Sequence, residues 1–356
     1  MRIAAIAMAA YLIAVVPALK VYPLVFEDEV TLDEPARELA FTGHLRSSYI
    51  ALSNPSKSFD RCFFWQPPGQ ALMVASSYKL FGFGIWQTRL PGLACAALCV
   101  LLMGLVCGEL GCAVCVLAGD LFLILNPQFF RTATNARMDT LCWMFLLASL
   151  FVYLRFCQRE RYHAVLSSAV SGLLVGLACM AHPLAVSWAI GFNIIIFLRK
   201  SGIKAWLLFN VACALPTAAW LAWAYPHWSI FVEQFLRHGA SRMATGGLLS
   251  RLFAEAQRTL VTHGPAPLYL LAIFFGLFAA VLKVLPKSKP PRDILILALV
   301  VGCFVTLFMG KQSGEYNAYY FIPFAVLSAT GLEATYASSK LIGRRLLKLS
   351  GLIVVC

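Results

Sequence analysis

Six of the sixteen acidic residues of the chain gather in VFEDEVTLDEPAREL, Val25 to Leu39, directly after a long and nearly uncharged apolar stretch. Carboxylates at such an edge can be partly desolvated, which strengthens them as bases, and can still reach both water-borne and lipid-borne groups. Asp28 and Glu29 are therefore candidates for general-base work, although the same residues could form a solvated acidic loop. Asp120 lies inside an apolar run, where an unpaired charge is expensive, so it should have a partner or line a cavity. Cys112 and Cys115 make a lone CxxC in an apolar segment with no second pair following. Cys95, Cys99, Cys142, Cys179, Cys213 and Cys303 also sit in apolar segments, where cysteine behaves as a small hydrophobe. No metal-ligand or disulfide framework is visible, and no cofactor is expected.

The elements that must position these residues are membrane helices. Of the 356 residues 60% are hydrophobic and 13% charged, with a mean hydropathy of +0.78, which excludes an ordinary soluble protein. The recurrent apolar stretches suit helices crossing a hydrocarbon core of about 30 Å. Their continuous apolarity argues against a barrel, the other structure lipid allows. Spans are expected at Ile3–Tyr22, Leu90–Cys107, Ala113–Asn126, Thr140–Leu154, Ala164–Ala181, Leu184–Leu198, Ala205–Tyr225, Ala266–Leu282, Ile294–Met309 and Phe321–Tyr336, with an eleventh opening at Leu349. The predicted fold is all-α, a polytopic bundle of about eleven spans.

With the amino terminus inside, the inner side, counting Arg2, Asp293 and Glu333 at span ends with the even-numbered loops, holds fifteen Lys and Arg against four acids, and the other side, counting Lys20, fourteen against eleven. The net charge of +13 then reflects the positive-inside rule rather than a nucleic-acid partner. Residue 28 falls outside. A signal peptide over residues 1 to 22 is a competing account that also leaves residue 28 outside. Two external loops are long, 23–89 and 226–265. The first contains a polar helix expected to begin near Asp33, with Pro35 in its first turn and Gly43 at its end. It also holds Pro68 to Phe81, apolar but too short to span and suited to the membrane interface. The chain ends at Cys356 within an apolar run, so a further carboxy-terminal part is one expectation and a naturally short chain another.

DEVTLDEPAREL resembles the D-E-x-x-Y-x-x-x-A-R-E-L pattern that follows the first helix of GT-C glycosyltransferases of the protein-mannosyltransferase and aminoarabinose-transferase type. FWQPPGQALMVASSYKLFG is similar to the K/H-P-P-L…KLFG segment of that family, and TRLPGLACAALCVLL to its RLPS helix. NPQFFRTATNARMDTLCWMFLLASL resembles SP-x-F…R-x-A-R-x-D-x-x-L. GLLVGLACMAHPLAV and EYNAYYFIPFAVLSATGLE resemble G-L-A-x-L-x-K-x-P and R-Y-x-L-P-x-x-P-A-L. The matches follow in family order over roughly residues 1 to 335. Each motif is loose alone; their order and spacing carry the resemblance.

The resemblance implies a GT-C bundle with juxtamembrane helices in its external first loop. It implies an enzyme of the cytoplasmic membrane, facing outward, that moves a sugar from a polyprenyl-phosphate donor to a hydroxyl of a lipid, glycan or protein acceptor. Asp28 then matches the family's catalytic base, with Glu29 as its support, and the in-line displacement inverts the anomeric carbon. The leaving phosphate needs cations. Arg131 and Arg137, flanking Asp139 at the outer end of a helix, are candidates, as are Lys311 and His182, with Tyr316 and Tyr320 as hydroxyl donors. Interfacial snorkelling, an aromatic belt and a structural histidine are the respective alternatives. Asp139 could orient Arg137 or cap a helix.

Departures from the pattern stand at Gln66, where the family has Lys or His, at Trp65, where the aminoarabinose transferases carry an acid linked to a metal, and at Leu32 in place of tyrosine. Metal dependence is therefore not expected. A transporter or flippase for a lipid-linked or anionic solute is the alternative; it would bring polar groups together near mid-membrane around Asp120.

Overall fold

The computed structural model describes residues 2–19, 27–111, 113–156, 161–199, 201–242, 289–308, 319, 321–333 and 336. Among these the chain is helical with no strand. The principal helices are α1 (Arg2–Val15), α2 (Glu27–Thr42), α3 (Ser48–Ser53), α4 (Gly69–Phe81), α5 (Ile85–Leu110), α6 (Ala113–Ile124), α7 (Pro127–Thr134), α8 (Asp139–Phe156), α9 (Arg161–Ala181), α10 (Val186–Leu198) and α11 (Ile203–Ala224). Short helical pieces lead on to Arg242, and helices Lys289–Phe308 and Phe321–Glu333 follow.

Nine of the eleven expected spans coincide with these helices; Ala266–Leu282 and the span opening at Leu349 lie outside the described residues. Only four described helices are long and apolar enough to cross a membrane singly, five if α6 and α7 are one bent span. Local chemistry explains several of the shorter ones. α1 ends before Pro17, which lies in a 3-10 turn, Val16–Ala18; the last residues of the expected span, 20–22, lie outside the described residues. Between α6 and α7 the path bends by 66°, because Asn126 leaves the helix and caps the next one, accepting from the N–H groups of Gln128 at 2.9 Å and Phe129 at 3.1 Å. His182 and Pro183 interrupt the path from α9 into α10 in the same manner.

Small residues let the spans approach closely. Gly172 and Gly176 stand four apart on α9, and a Cβ on them would lie 2.2 Å from the Phe209 carbonyl oxygen and 2.4 Å from that of Cys213, on α11. This small-xxx-small seam brings two backbones together. Paired polar side chains join neighbouring helices: between α8 and α9, Ser149 and Ser171 each donate to the other's carbonyl, at 3.0 and 3.1 Å, and between α10 and α11 the amides of Asn193 and Asn210 exchange bonds at 3.1 and 2.7 Å. Gly172→Leu should push α9 off α11 and cost at least the ~1–3 kcal/mol of ordinary overpacking, since backbone rather than side chain blocks the space. Thermal unfolding in detergent would measure it; an unchanged midpoint would show that the seam can open freely.

A smaller layer packs on one end of the bundle. α2 and α4 enclose Ala36, Ile50, Phe59, Phe63, Val74 and Tyr78. α2 begins at Glu27, a turn and a half earlier than the expected start near Asp33, so Pro35 sits within the helix and not in its first turn. An interior proline costs about 3 kcal/mol; burial of Leu32 and Ala36 and the anchoring of Glu29 oppose that cost. Gly43 closes α2 at φ +76°, as its position in the sequence suggested. α4 matches the expected Pro68–Phe81 helix and stops at Gly82, φ +81°. One of its faces is buried in this small core, while Leu72, Leu80 and Phe81 stay exposed.

Candidate active site

Two buried polar clusters lie at the end of the bundle where α5 and α8 begin. The first centres on Arg89, in the second turn of α5 and 1% exposed. Its Nε and Nη2 donate to the two carboxylate oxygens of Glu29 at 2.7 and 2.8 Å, and its Nη1 donates to the Leu19 carbonyl at 2.9 Å. One planar guanidinium therefore ties the end of the first helical segment and the start of α2 to α5. With both oxygens engaged, Glu29 acts as a strut. Asp28, its neighbour, is the second residue of α2, and its side chain lies outside the described residues.

One turn further along α2, Asp33 has an oxygen shielded from solvent that meets no hydrogen-bond partner among the described residues. It shares a cavity of about 340 Å³ with Glu29, Glu34, Tyr78 and Thr88. Burial raises the Asp33 carboxyl well above the usual range, the charge of Glu29 adds to this, and Arg89 pulls the other way. The folded protein thus keeps a proton there in a pH window where the unfolded chain has lost it, and stability falls as pH rises through that window. Asp33→Asn should raise the thermal midpoint at alkaline pH with little change in acid. A variant whose midpoint declines with pH as steeply as the wild type would remove Asp33 as the cause.

The second cluster centres on Asp139, the fully buried first residue of α8. Its Oδ2 accepts from Arg137 Nε at 3.0 Å and its Oδ1 from the Tyr319 hydroxyl at 3.1 Å. His182 Nε2 stands 3.9 Å from Oδ1, and His182 Nδ1 accepts the Leu184 N–H at 3.1 Å. That bond leaves the ring hydrogen of the neutral tautomer on Nε2, facing Asp139. Trp188 Nε1 donates to the Tyr319 carbonyl at 3.2 Å, fixing the tyrosine in turn. Engaged on both oxygens, Asp139 orients a cation and is a poor candidate for proton abstraction.

The clusters are neighbours. Gly92, one turn past Arg89, would place a Cβ 3.5 Å from the Asn135 carbonyl oxygen and 3.6 Å from Thr140 Oγ1, the residues framing Arg137 to Asp139. The start of α4 is wedged beside both: a Cβ on Gly69 would meet the Met180 carbonyl oxygen at 2.5 Å, and Gln70 Nε2 donates to the Ala136 carbonyl at 3.2 Å. Segments far apart in sequence thereby converge where α2 begins. The opposite end carries the ion pairs Arg155 with Glu109, at 2.9 Å, and Arg199 with Asp293.

The expected residues divide accordingly. Glu29, Arg137, Asp139 and His182 are buried in the two clusters. Gln66 is half-buried at the approach to α4. Arg131 is exposed on α7, while Arg137 lies buried beyond it. The RTATNARMD run is therefore not one helix end, because the chain leaves α7 at Asn135 before α8 starts. Lys311, Tyr316 and Tyr320 lie outside the described residues. Reading the sequence missed Arg89 and Tyr319. TRLPG did mark the first, and the tyrosine pair before the late helix marked the second without saying which ring turns inward. Asp120 is buried and without a hydrogen-bond partner among the described residues. Gly104 faces both of its oxygens, with Ala4 beside it.

Known proteins share this fold. Residues 65–230 match the family described as dolichyl-phosphate-mannose-protein mannosyltransferase. The crystal structure of ArnT from Cupriavidus metallidurans bound to undecaprenyl phosphate superposes with a TM-score of 0.71 at 19% identity, covering 98% of this chain and 64% of ArnT. Its apo state gives 0.71 at 17% identity, over 98% and 63%. The Archaeoglobus fulgidus oligosaccharyltransferase in complex with Zn and sulfate gives 0.58 at 11%, over 98% and 51%. The chain thus spans less than two thirds of the length of these proteins. No curated protein matches it by sequence. The family match thus covers the middle of the chain, and nearly all of its length takes the fold seen in ArnT.

Proposed function

We propose that the protein transfers a sugar from a polyprenyl-phosphate donor to an acceptor hydroxyl at the outer face of the cytoplasmic membrane, inverting the anomeric carbon. The observation that carries this reading is the buried Arg137, Asp139 and Tyr319 cluster set beside the start of α2, where Asp28 stands next to an anchored Glu29. The fold shared with a protein crystallised on undecaprenyl phosphate agrees with it.

In the proposed reaction the acceptor oxygen forms a bond to the anomeric carbon as the bond from that carbon to the phosphate oxygen breaks. Asp28 takes the acceptor's proton, and the electron pair leaves on the polyprenyl phosphate. Arg137, aimed by Asp139, is assigned to the growing phosphate charge. Arg131, Lys311 and His182 are further candidates, with Tyr316 and Tyr320 as hydroxyl donors and Gln66 at the approach. The acceptor is a lipid, glycan or protein hydroxyl, and membrane lipid surrounds the spans.

The test is transfer of radiolabelled sugar from a panel of polyprenyl-phosphate sugars in membranes containing the protein. Labelled acceptor should form together with free polyprenyl phosphate. Donors that all remain intact, in membranes where the protein is inserted and folded, would overturn the reading. Accumulation of donor on the opposite leaflet would instead favour a flippase.

A further inference from the structure

Gln234 lies on a π-helical turn, Val232–Leu236, in the segment that follows α11, and is 1% exposed. Its side-chain oxygen accepts the Phe64 N–H at 2.6 Å. Its amide nitrogen donates to the carbonyls of Lys57 at 2.6 Å and Cys62 at 2.9 Å. A buried amide with its oxygen and both hydrogens satisfied by the backbone of one distant loop is an unusual investment for an external segment. π-turns themselves cluster at functional positions. Rings reinforce the junction: Phe64 packs edge-on against Trp223 at 5.0 Å, and Trp65 against His238 at 4.9 Å.

The loop held in this way runs straight into the site. Phe64 is followed by Trp65 and Gln66, then by Gly69 and Gln70, which are seated on Met180 and Ala136. Both ends of this short stretch are therefore fixed, one by Gln234 and the other by the Asp139 region. A shift at Phe64 has nowhere to go except into Trp65, Gln66 and the proline pair.

We propose that Gln234 is a positioning residue, the latch by which the segment after α11 holds the loop 57–66 closed and sets Gln66 against the donor-binding end of the site. This assignment rests on the proposed transfer reaction for its consequence, though not for its geometry. Loss of the latch should open the loop and weaken donor binding while leaving the buried clusters intact.

Two variants test it in membranes containing the full chain. Gln234→Met keeps length and apolar bulk but makes none of the three bonds; Gln234→Glu can still accept from Phe64 and cannot donate to the two carbonyls. Cys62 supplies a readout separate from catalysis, because its thiol is free and buried beneath the latch. In Gln234→Met, Cys62 should react with a membrane-impermeant maleimide on the order of 10- to 100-fold faster than in the wild type, as expected for losing three such bonds. Gln234→Glu should fall between the two, and a Cys62→Ser control identifies the labelled site. The KM for a polyprenyl-phosphate sugar should rise at least several-fold, with a smaller change in kcat. Unchanged protection of Cys62 in Gln234→Met overturns the latch. Faster labelling with unaltered kinetics overturns its positioning role. If even the wild type transfers no sugar, the proposed function falls, and the labelling rates alone decide whether Gln234 holds the loop.

Discussion

Asp28→Asn should reduce sugar transfer by about 10²- to 10⁴-fold, the contribution of a positioned general base, with normal insertion and little change in stability. The amide keeps the size of the carboxylate and cannot take the acceptor's proton. The expectation rests on where Asp28 stands, in the first turn of α2 beside a carboxylate that Arg89 holds on both oxygens. Glu29 cannot leave that ion pair to act as base without stranding a buried guanidinium, so the proposed base is its neighbour. Transfer of radiolabelled sugar per unit of folded protein is the measurement. Undiminished transfer by Asp28→Asn would remove it as base and leave positioning and electrostatics as the whole mechanism. Glu29→Gln offers a contrast: it should lower folded yield first and activity only as a consequence.

Arg89→Leu should be the most destabilising single change in the site. It leaves Glu29 buried without its partner, at a cost of about 3–5 kcal/mol when one member of a buried pair is removed, and it deprives the Leu19 carbonyl of a donor. The double variant Arg89→Leu with Glu29→Leu should recover much of that loss, because a buried ion pair and well-packed apolar residues are often of similar stability. Transfer should nevertheless stay low in the double variant, since nothing would then moor the start of α2 to α5. Thermal unfolding in detergent together with the transfer assay separates these effects. Equal stability of the single and double variants would mean that the charge on Glu29 is not what the arginine answers.

The legibility of the protein differs between its parts for physical reasons. Span positions could be read because lipid demands long apolar runs, and a run such as Leu90 to Cys107, which α5 contains, announces itself by composition alone. Helix ends were legible where one residue decides them, as at Gly43 and Gly82, both at positive φ. The start of α2 was not, because Pro35 reads locally as a first-turn residue. Only packing of Leu32 and Ala36, and the grip of Arg89 on Glu29, carries the helix through it.

The site shows the same division. Asp28, Glu29, Arg137, Asp139 and His182 could be named from residue type, spacing and ordered resemblance. Their partners could not: Glu29 meets Arg89 sixty residues away, and Asp139 meets Tyr319 across 180. No pattern of neighbours in the chain encodes such pairings. The amino-acid sequence by itself determined a helical membrane protein and proposed the residues for its chemistry. Tertiary structure alone decided that Glu29 and Asp139 are held struts, that Arg131 and Arg137 part company, and that Gln234 reaches back to Phe64. The reason is that a buried polar group must find its partner wherever packing brings one, and packing joins helices without regard to their distance along the chain.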